Sequence, residues 1–368
     1  VLSNSLRSIL KSVSRSFYLS VRVLPAAVQQ QVAVGYLLAR AADTLADTPL
    51  LAAADRRQLL SLLRRSAAGS QDAQREFLSA LEAAQQRQPL SPDRSEAMLL
   101  QRIADCLALL QQQQPTDRML LQRVLDQLTS GMERDLERFP PADGVVPANQ
   151  VVGLAARADL DDYAYFAAGC VGEFWTDLMA AHLPALSQLA EPSLRQRGIA
   201  LGKALQLVNV IRDVRADLRI GRCYWPDELL RPHGLSAARL AEIAAPESSP
   251  PTISVAESAA VEAVTAELCG WSLALCQEAW PYVQAIPPTQ IRLRLACIWP
   301  LLLAVDTLRA LRAAGSPLLR SGPPIKISRQ QVYGLLWEST GAAVRDRVLD
   351  KGRINRVFSE HAEPPGGR

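Results

Sequence analysis

Four aspartates stand apart by their spacing: Asp43 with Asp47 and Asp213 with Asp217, each pair four residues apart within a strongly apolar run. Read as helix, the first pair ends a stripe of Tyr36, Arg40, Asp43 and Asp47 at offsets 0, 4, 7 and 11. The second pair ends a stripe of Gln206, Asn209, Asp213 and Asp217 at offsets 0, 3, 7 and 11; each stripe is one helix face. Their neighbours are Ala, Leu, Val and Ile, so both stripes are expected to face inward, where like charges at i,i+4 repel and lose solvation. A cation has to compensate. Magnesium suits the donors, because it takes carboxylate oxygens, keeps several waters and bridges to phosphates. Two facing pairs would hold a small cluster that clamps a diphosphate and neutralises it as a C–O bond breaks, with Asn209 as a neutral oxygen ligand.

Spacing alone is a weak signal, since 20 Asp in 368 residues give about one DxxxD by chance. Three occur. The third, Asp346 with Asp350, lies in a charged segment and reads as a solvated face. The other two are set apart by apolar flanks and by the longer polar stripe each continues.

The elements that position these stripes follow from composition and pattern. Hydrophobic residues make up 49% and aromatics only 5%, and the apolar content is mainly Ala and Leu, which favours an all-α fold. Pro25 is expected at the first position of a long helix whose apolar pattern runs from Val28 to Thr48. Further helices are expected at about 54–68, 73–87, 94–113, 116–137, 160–182, 193–219, 255–284, 287–315 and 328–348. Pro-rich stretches at Phe139–Asn149 and Ala245–Ser254 read as loops, so residues 1–350 are expected to form one helical domain and 351–368 a mobile tail.

Several classes are excluded. The net charge of +3 is spread along the chain, so no nucleic-acid affinity follows. With three His, and six Cys placed singly without a CxxC, the donors do not make a zinc site and the thiols are expected to be reduced, as in the cytoplasm. Val1–Leu10 lacks the pattern of a secretory signal, and Leu295–Val305, containing Pro300, is too short to span a bilayer.

Taken together the motifs resemble a known family. Val13-Ser14-Arg15-Ser16-Phe17 and Tyr36-Leu37-Leu38-Ala39-Arg40-Ala41-Ala42-Asp43-Thr44-Leu45-Ala46-Asp47 are similar to the opening of squalene and phytoene synthases. So are Gly131-Met132-Glu133-Arg134-Asp135-Leu136, the tyrosine segment Tyr163–Gly172, and Leu205–Asp217 followed by Gly221-Arg222-Cys223-Tyr224-Trp225-Pro226. The resemblance runs from about residue 12 to 335. It implies a single isoprenoid-synthase helical bundle with a central cavity, in which two molecules of farnesyl diphosphate are joined head to head through presqualene diphosphate with Mg2+.

By position, the resemblance implies a metal face of Asp43, Asp47, Asp213 and Asp217 with Asn209, and diphosphate contacts from Ser14, Arg15, Arg40, Arg212 and Arg222, a role suited to the always-charged planar guanidinium. Tyr36 and Gln206 join the substrate-binding set. Tyr163 aligns with the base that forms the cyclopropane; as a bare residue it is either that or a core tyrosine. Phe17, Phe166 and Trp299 either line the cavity, where ring faces stabilise carbocations, or pack the core.

Three features lean toward squalene synthase, which reduces the intermediate with NADPH, over phytoene or dehydrosqualene synthases, which lose a proton instead, and over enzymes that stop at presqualene diphosphate or hydroxysqualene: the DTxxD form of the first motif, Tyr224-Trp225-Pro226, and Ile325-Lys326-Ile327-Ser328-Arg329. Lys326 and Arg329 either meet the phosphates of NADPH or form a solvated basic loop. Ala296, before Cys297-Ile298-Trp299-Pro300, departs from the aromatic residue of the reducing enzymes. The eukaryotic C-terminal membrane anchor is missing, so the expectation is a cytoplasmic protein, soluble or peripherally attached to the inner face of the membrane.

Overall fold

The computed structural model describes residues 2–14, 21, 23–87, 90–139, 145–245 and 253–319. The expected helix at 328–348, the Asp346/Asp350 pair, Lys326, Arg329 and the tail all lie outside them, as do Arg15 and Phe17. The described elements are helices with one two-residue pair of strands, an all-α fold. They gather into two compact units, Val1–Val145 with Glu173–Pro184 and Val146–Gly172 with Ala185–Arg368.

The first unit holds α1 (Asn4–Ser14), α2 (Ala26–Asp47), α3 (Ala53–Ala67), α4 (Gln71–Arg87), α5 (Arg94–Gln101), α6 (Ile103–Gln111) and α7 (Pro115–Arg138). α2 is its centre, in contact with α1, α3, α5, α6 and α7. Val34, Leu37, Ala41, Ala42 and Leu45 are accordingly sealed from solvent. Pro25 is the residue before the helix, with φ −55 and ψ 140, rather than its first residue. α2 stops at Asp47 because Thr48 precedes Pro49 and is driven to an extended conformation, φ −62 and ψ 121.

The second unit holds β1 (Val152–Gly153), α8 (Arg157–Ala164), a π-helical stretch at Tyr165–Gly169, the first residues of α9 (Cys170–His182), α10 (Pro192–Arg212), α11 (Val214–Arg219), β2 (Arg222–Cys223), α12 (Asp227–Leu230), α13 (Ala237–Ile243), α14 (Val255–Ala285) and α15 (Ile291–Ala314). α10 is the centre here, against α8, the π-helical stretch, α14 and α15. α14 is long and apolar enough to cross a membrane, yet it packs on α10 and α15 and seals Val261, Val264, Leu268, Cys276 and Ala279 in the core. The two strands pair in parallel, Val152 with Arg222 and Gly153 with Cys223. All six cysteines are free and buried.

Three expected helices are interrupted. The segment 94–113 breaks at Arg102, φ −108 and ψ 14; 160–182 starts earlier and carries the π-helical stretch; 193–219 breaks at Asp213, φ −97 and ψ 5. At Asp213 the helical bonding continues on both sides, Asp213 N–H to Asn209 O at 2.8 Å and Asp217 N–H to Asp213 O at 3.0 Å. The pitch that puts the two aspartates on one face therefore survives the break.

Glycine fixes how closely α10 approaches the tyrosine segment. A Cβ at Gly202 would lie 2.2 Å from Ala168 O, and one at Gly172 would lie 2.1 Å from Gly198 O, both backbone atoms that cannot move aside cheaply. Gly202→Ala should destabilise the protein by about 1–3 kcal/mol through overpacking, read as a lowered urea midpoint. Gly270→Ala, in α14 with nothing within 4 Å of its Cβ, should gain about 0.5–1 kcal/mol from reduced backbone entropy. Equal midpoints for the two variants would refute the close approach.

Candidate active site

The aspartates of the first motif occupy the last turn of α2, where unpaired carbonyls already carry partial negative charge and acids are unfavourable. Two arginines offset this. Arg56 of α3, only 4% exposed, donates from Nη1 to Ala46 O at 3.0 Å. Arg40, one turn back on α2, donates from Nη1 to Asp43 Oδ2 at 2.5 Å and from Nη2 to Glu96 Oε1 of α5. Glu96 is in turn held by Ser91 Oγ at 2.7 Å.

The compensation is incomplete. Burial first, then the charge of Asp47, outweigh Arg40 and push the Asp43 carboxyl up to about 6. Asp47 itself is exposed, and Asp43 is 41% accessible. The inward-facing stripe expected from the sequence thus opens to solvent at its end, because Thr48 terminates the helix there. At the stripe's other end Tyr36 donates to Val13 O at 3.2 Å, and Ser14 donates its hydroxyl to Leu10 O. Both side chains are tied to α1.

In the second unit the break at Asp213 turns its carboxylate back onto its neighbour. Arg212 grips it with a two-pronged fork, Nε to Oδ1 at 2.8 Å and Nη2 to Oδ2 at 2.5 Å. That hydrogen bonding, against a smaller desolvation effect, raises the Arg212 pKa. Further back along α10, Asn209 Nδ2 donates to Gln206 Oε1 at 3.3 Å, and Gln206 Nε2 donates to the Tyr163 hydroxyl oxygen of α8 at 3.0 Å.

The Tyr163 ring stacks on Tyr224, centroids 4.2 Å apart at 27°. Tyr224 is placed by the strand pair, since β2 leads straight into the buried Tyr224-Trp225, and Gly221, at φ +83, makes the turn before it. Arg222, within β2, is half-buried. Phe166 lies in the π-helical stretch with its edge against Tyr165, 5.3 Å between centroids. Trp299 is half-buried on α15.

The structure thus joins Arg40 with Asp43, Arg212 with Asp213, and Tyr163 with Gln206 and Asn209. Glu96, Arg56 and the stacking of Tyr224 on Tyr163 are additions that the sequence motifs do not reveal. The donor set fits a hard cation: each motif offers two carboxylates, and Asn209, having given its amide N–H to Gln206, has its carbonyl oxygen for the ion. Among the described residues no three His, Cys, Asp or Glu side chains converge to hold a metal unaided.

The profile of the squalene/phytoene synthases matches residues 10–331. The chain belongs to that family. The bifunctional lycopene cyclase/phytoene synthase of Blakeslea trispora is 29% identical over 224 residues, 61% of this chain and 32% of that protein. The phytoene synthase of Thermus thermophilus is 39% identical over 89 residues, 24% of this chain and 28% of that protein. The chain therefore spans about a third or less of the length of these curated relatives. Among solved structures, the complex of TcSQS with the ligand BPH1237 shares the fold with a TM-score of 0.68 and 18% identity, covering 98% of both chains. The squalene synthase HpnC of Alicyclobacillus acidocaldarius does so with a TM-score of 0.52 and 19% identity, covering 84% of this chain and 92% of that one.

The raised Asp43 pKa sets a sign for stability. An unfolded aspartate titrates near 4, so between about pH 4 and 6 the folded protein holds more protons and loses stability as pH rises. In the absence of metal, Asp43→Asn should therefore exceed the parent in stability at pH 7 by about 1 kcal/mol, after discounting for solvent screening of a partly exposed group. The gain should vanish at pH 4. Urea unfolding in a chelator checks this, and a variant no more stable than the parent at pH 7 would remove the uncompensated charge.

Proposed function

We propose that this protein is a squalene synthase, joining two farnesyl diphosphates head to head through presqualene diphosphate and reducing that intermediate with NADPH. Membership of the family supports the coupling chemistry, and the DTxxD motif with Tyr224-Trp225-Pro226 supports the choice of product. The observation that carries the reading is that each aspartate pair has an arginine on its own helix segment already bonded to its first carboxylate. A site rich in both carboxylates and guanidinium forks suits an anion that arrives together with divalent cations.

In this reading Asp43, Asp47, Asp213 and Asp217, with Asn209, would hold magnesium. Bound there, the ion supplies Lewis-acid neutralisation of the departing diphosphate. Arg40, Arg212 and Arg222, with Ser14 and Arg15, contact the diphosphate oxygens. Tyr163 accepts on its oxygen the proton that leaves the coupled carbocation, while its own hydroxyl proton passes to released diphosphate. Gln206, donating to that oxygen at 3.0 Å, holds the phenol in place and stabilises charge that builds on it. Phe17, Phe166 and Trp299 would supply aromatic rings that stabilise the carbocation and exclude water. Lys326 and Arg329 would take the phosphates of NADPH. The greasy substrates and product suit peripheral attachment at the cytoplasmic face of the membrane.

A second reading is favoured by the curated relatives, which are named phytoene synthases: the intermediate then loses a proton instead of gaining hydride. Incubating the purified protein with farnesyl diphosphate and Mg2+, with and without NADPH, decides between them. Squalene formed only with NADPH is expected. Dehydrosqualene under both conditions, or preference for a longer prenyl diphosphate, selects the second reading, and accumulated presqualene diphosphate limits the enzyme to the first half-reaction. Unconsumed prenyl diphosphate in every arm sinks the proposal.

Asp43→Asn or Asp213→Asn, like chelation of the metal, should lower turnover by roughly 100-fold or more, several kcal/mol of lost charge stabilisation. Near-parental turnover in either variant contradicts the metal assignment.

A further inference from the structure

Lys203 lies on α10 one turn before Gln206, and its side chain is only 15% exposed. Lysines generally keep the ammonium in water. This one instead places Nζ 2.5 Å from Asp161 Oδ1 on α8. Its stem crosses the π-helical stretch at Gly169, where a Cβ would come within 3.1 Å of Lys203 Cγ and 3.3 Å of Ile199 Cγ2. The bare backbone at 169 is what lets the stem through.

Asp161 and Tyr163 are two residues apart on α8, hence roughly 200° apart around its axis at about 100° per residue. Lys203 holds one side and Gln206 the other. Leu160 and Ala164 bury one face of α8 and Arg157 pairs with Glu267 at its start; the Lys203 pair, with Asp161 42% exposed, and the Gln206 bond add a hold on either side of Tyr163's turn. The π-helical stretch after α8 shifts the helical phase of the residues that follow it.

From this geometry we infer that Lys203 and Asp161 are a positioning pair that fixes the rotation of α8 and so aims the Tyr163 hydroxyl. The role assigned to the pair rests on the reading above, in which Tyr163 acts on the coupled substrate. It serves the proton transfer and not the ionisation of diphosphate.

The test uses Lys203→Met, which keeps the stem and removes the charge, together with Asp161→Asn, the double variant, and Lys203→Arg, which keeps the cation. Each single neutral variant should lower kcat on the order of tenfold or more, as a misaimed group does, with KM for prenyl diphosphate and the magnesium requirement within twofold of the parent. The double variant should lose no more than either single, since both remove one interaction, and Lys203→Arg should keep at least half of parental kcat.

Near-ultraviolet circular dichroism gives a readout that needs no turnover. The band from Tyr163 stacked on Tyr224, defined by its loss in Tyr163→Phe, should change in Lys203→Met. If the parent fails to couple prenyl diphosphates but this band changes, the functional reading falls and the positioning pair stands. A band unchanged in Lys203→Met, or kcat within twofold of the parent, or losses that add in the double variant and follow Tm, would overturn the inference.

Discussion

Carboxylates placed at helix ends that already carry negative charge are the constraint around which both units are arranged. An acid in the last turn costs a few tenths to about 1 kcal/mol against the helix dipole, and a like-charged partner four residues away adds a few tenths. α2 accepts both at Asp43 and Asp47. The structure answers with a buried arginine on the last carbonyls, a second on the first aspartate, and Glu96 holding that second arginine in place. None of these contacts would be needed if the two acids were Ala. They offset the charge that the two acids bring to the end of the helix.

The second unit meets the same demand differently. Asp213 sits where α10 gives way to α11, so its backbone leaves helical ψ while the bonds on either side keep the turn. The departure lets a neighbouring residue, Arg212, reach both carboxylate oxygens, which two successive side chains on an undistorted helix, about 100° apart, would not do. The fork thus coincides with the change of backbone direction at Asp213. Behind it, the chain of amides from Asn209 through Gln206 to Tyr163 ties the acidic end of α10 to the tyrosine of α8. The backbone approach at Gly202 and Gly172 sets the distance over which that chain must reach.

Much of this was legible in the residues themselves. A helical period of apolar residues gives α2 and α7 to within a few residues, and runs α10 and α11 together as one helix. Polar stripes on such helices identify Asp43, Asp47, Asp213 and Asp217 because the period fixes which residues share a face. Other features leave no such trace. The break at Asp213 and the π-helical stretch are changes in one or a few backbone torsions that side-chain pattern does not record. Glu96 reaches Arg40 across 56 residues of sequence, and a pairing that distant has no periodic signature. The exposure of Asp47 depends on Pro49, which ends the helix two residues later and uncovers its last turn.

The two halves of the chemistry proposed above would place opposite demands on their surroundings. Ionising a diphosphate calls for groups that are charged, partly wet and able to exchange partners, and the first carboxylate of each pair is held by an arginine that has phosphate as an alternative ligand. Steering a carbocation calls for a phenol whose direction does not drift. Tyr163 has an amide on its oxygen, a ring on its face and glycine-mediated contact between its helical segment and α10. Close-packed backbone yields far less than side-chain ion pairs do. The tyrosine is thus held by backbone packing as well as side-chain bonds, and the acids by side-chain ion pairs.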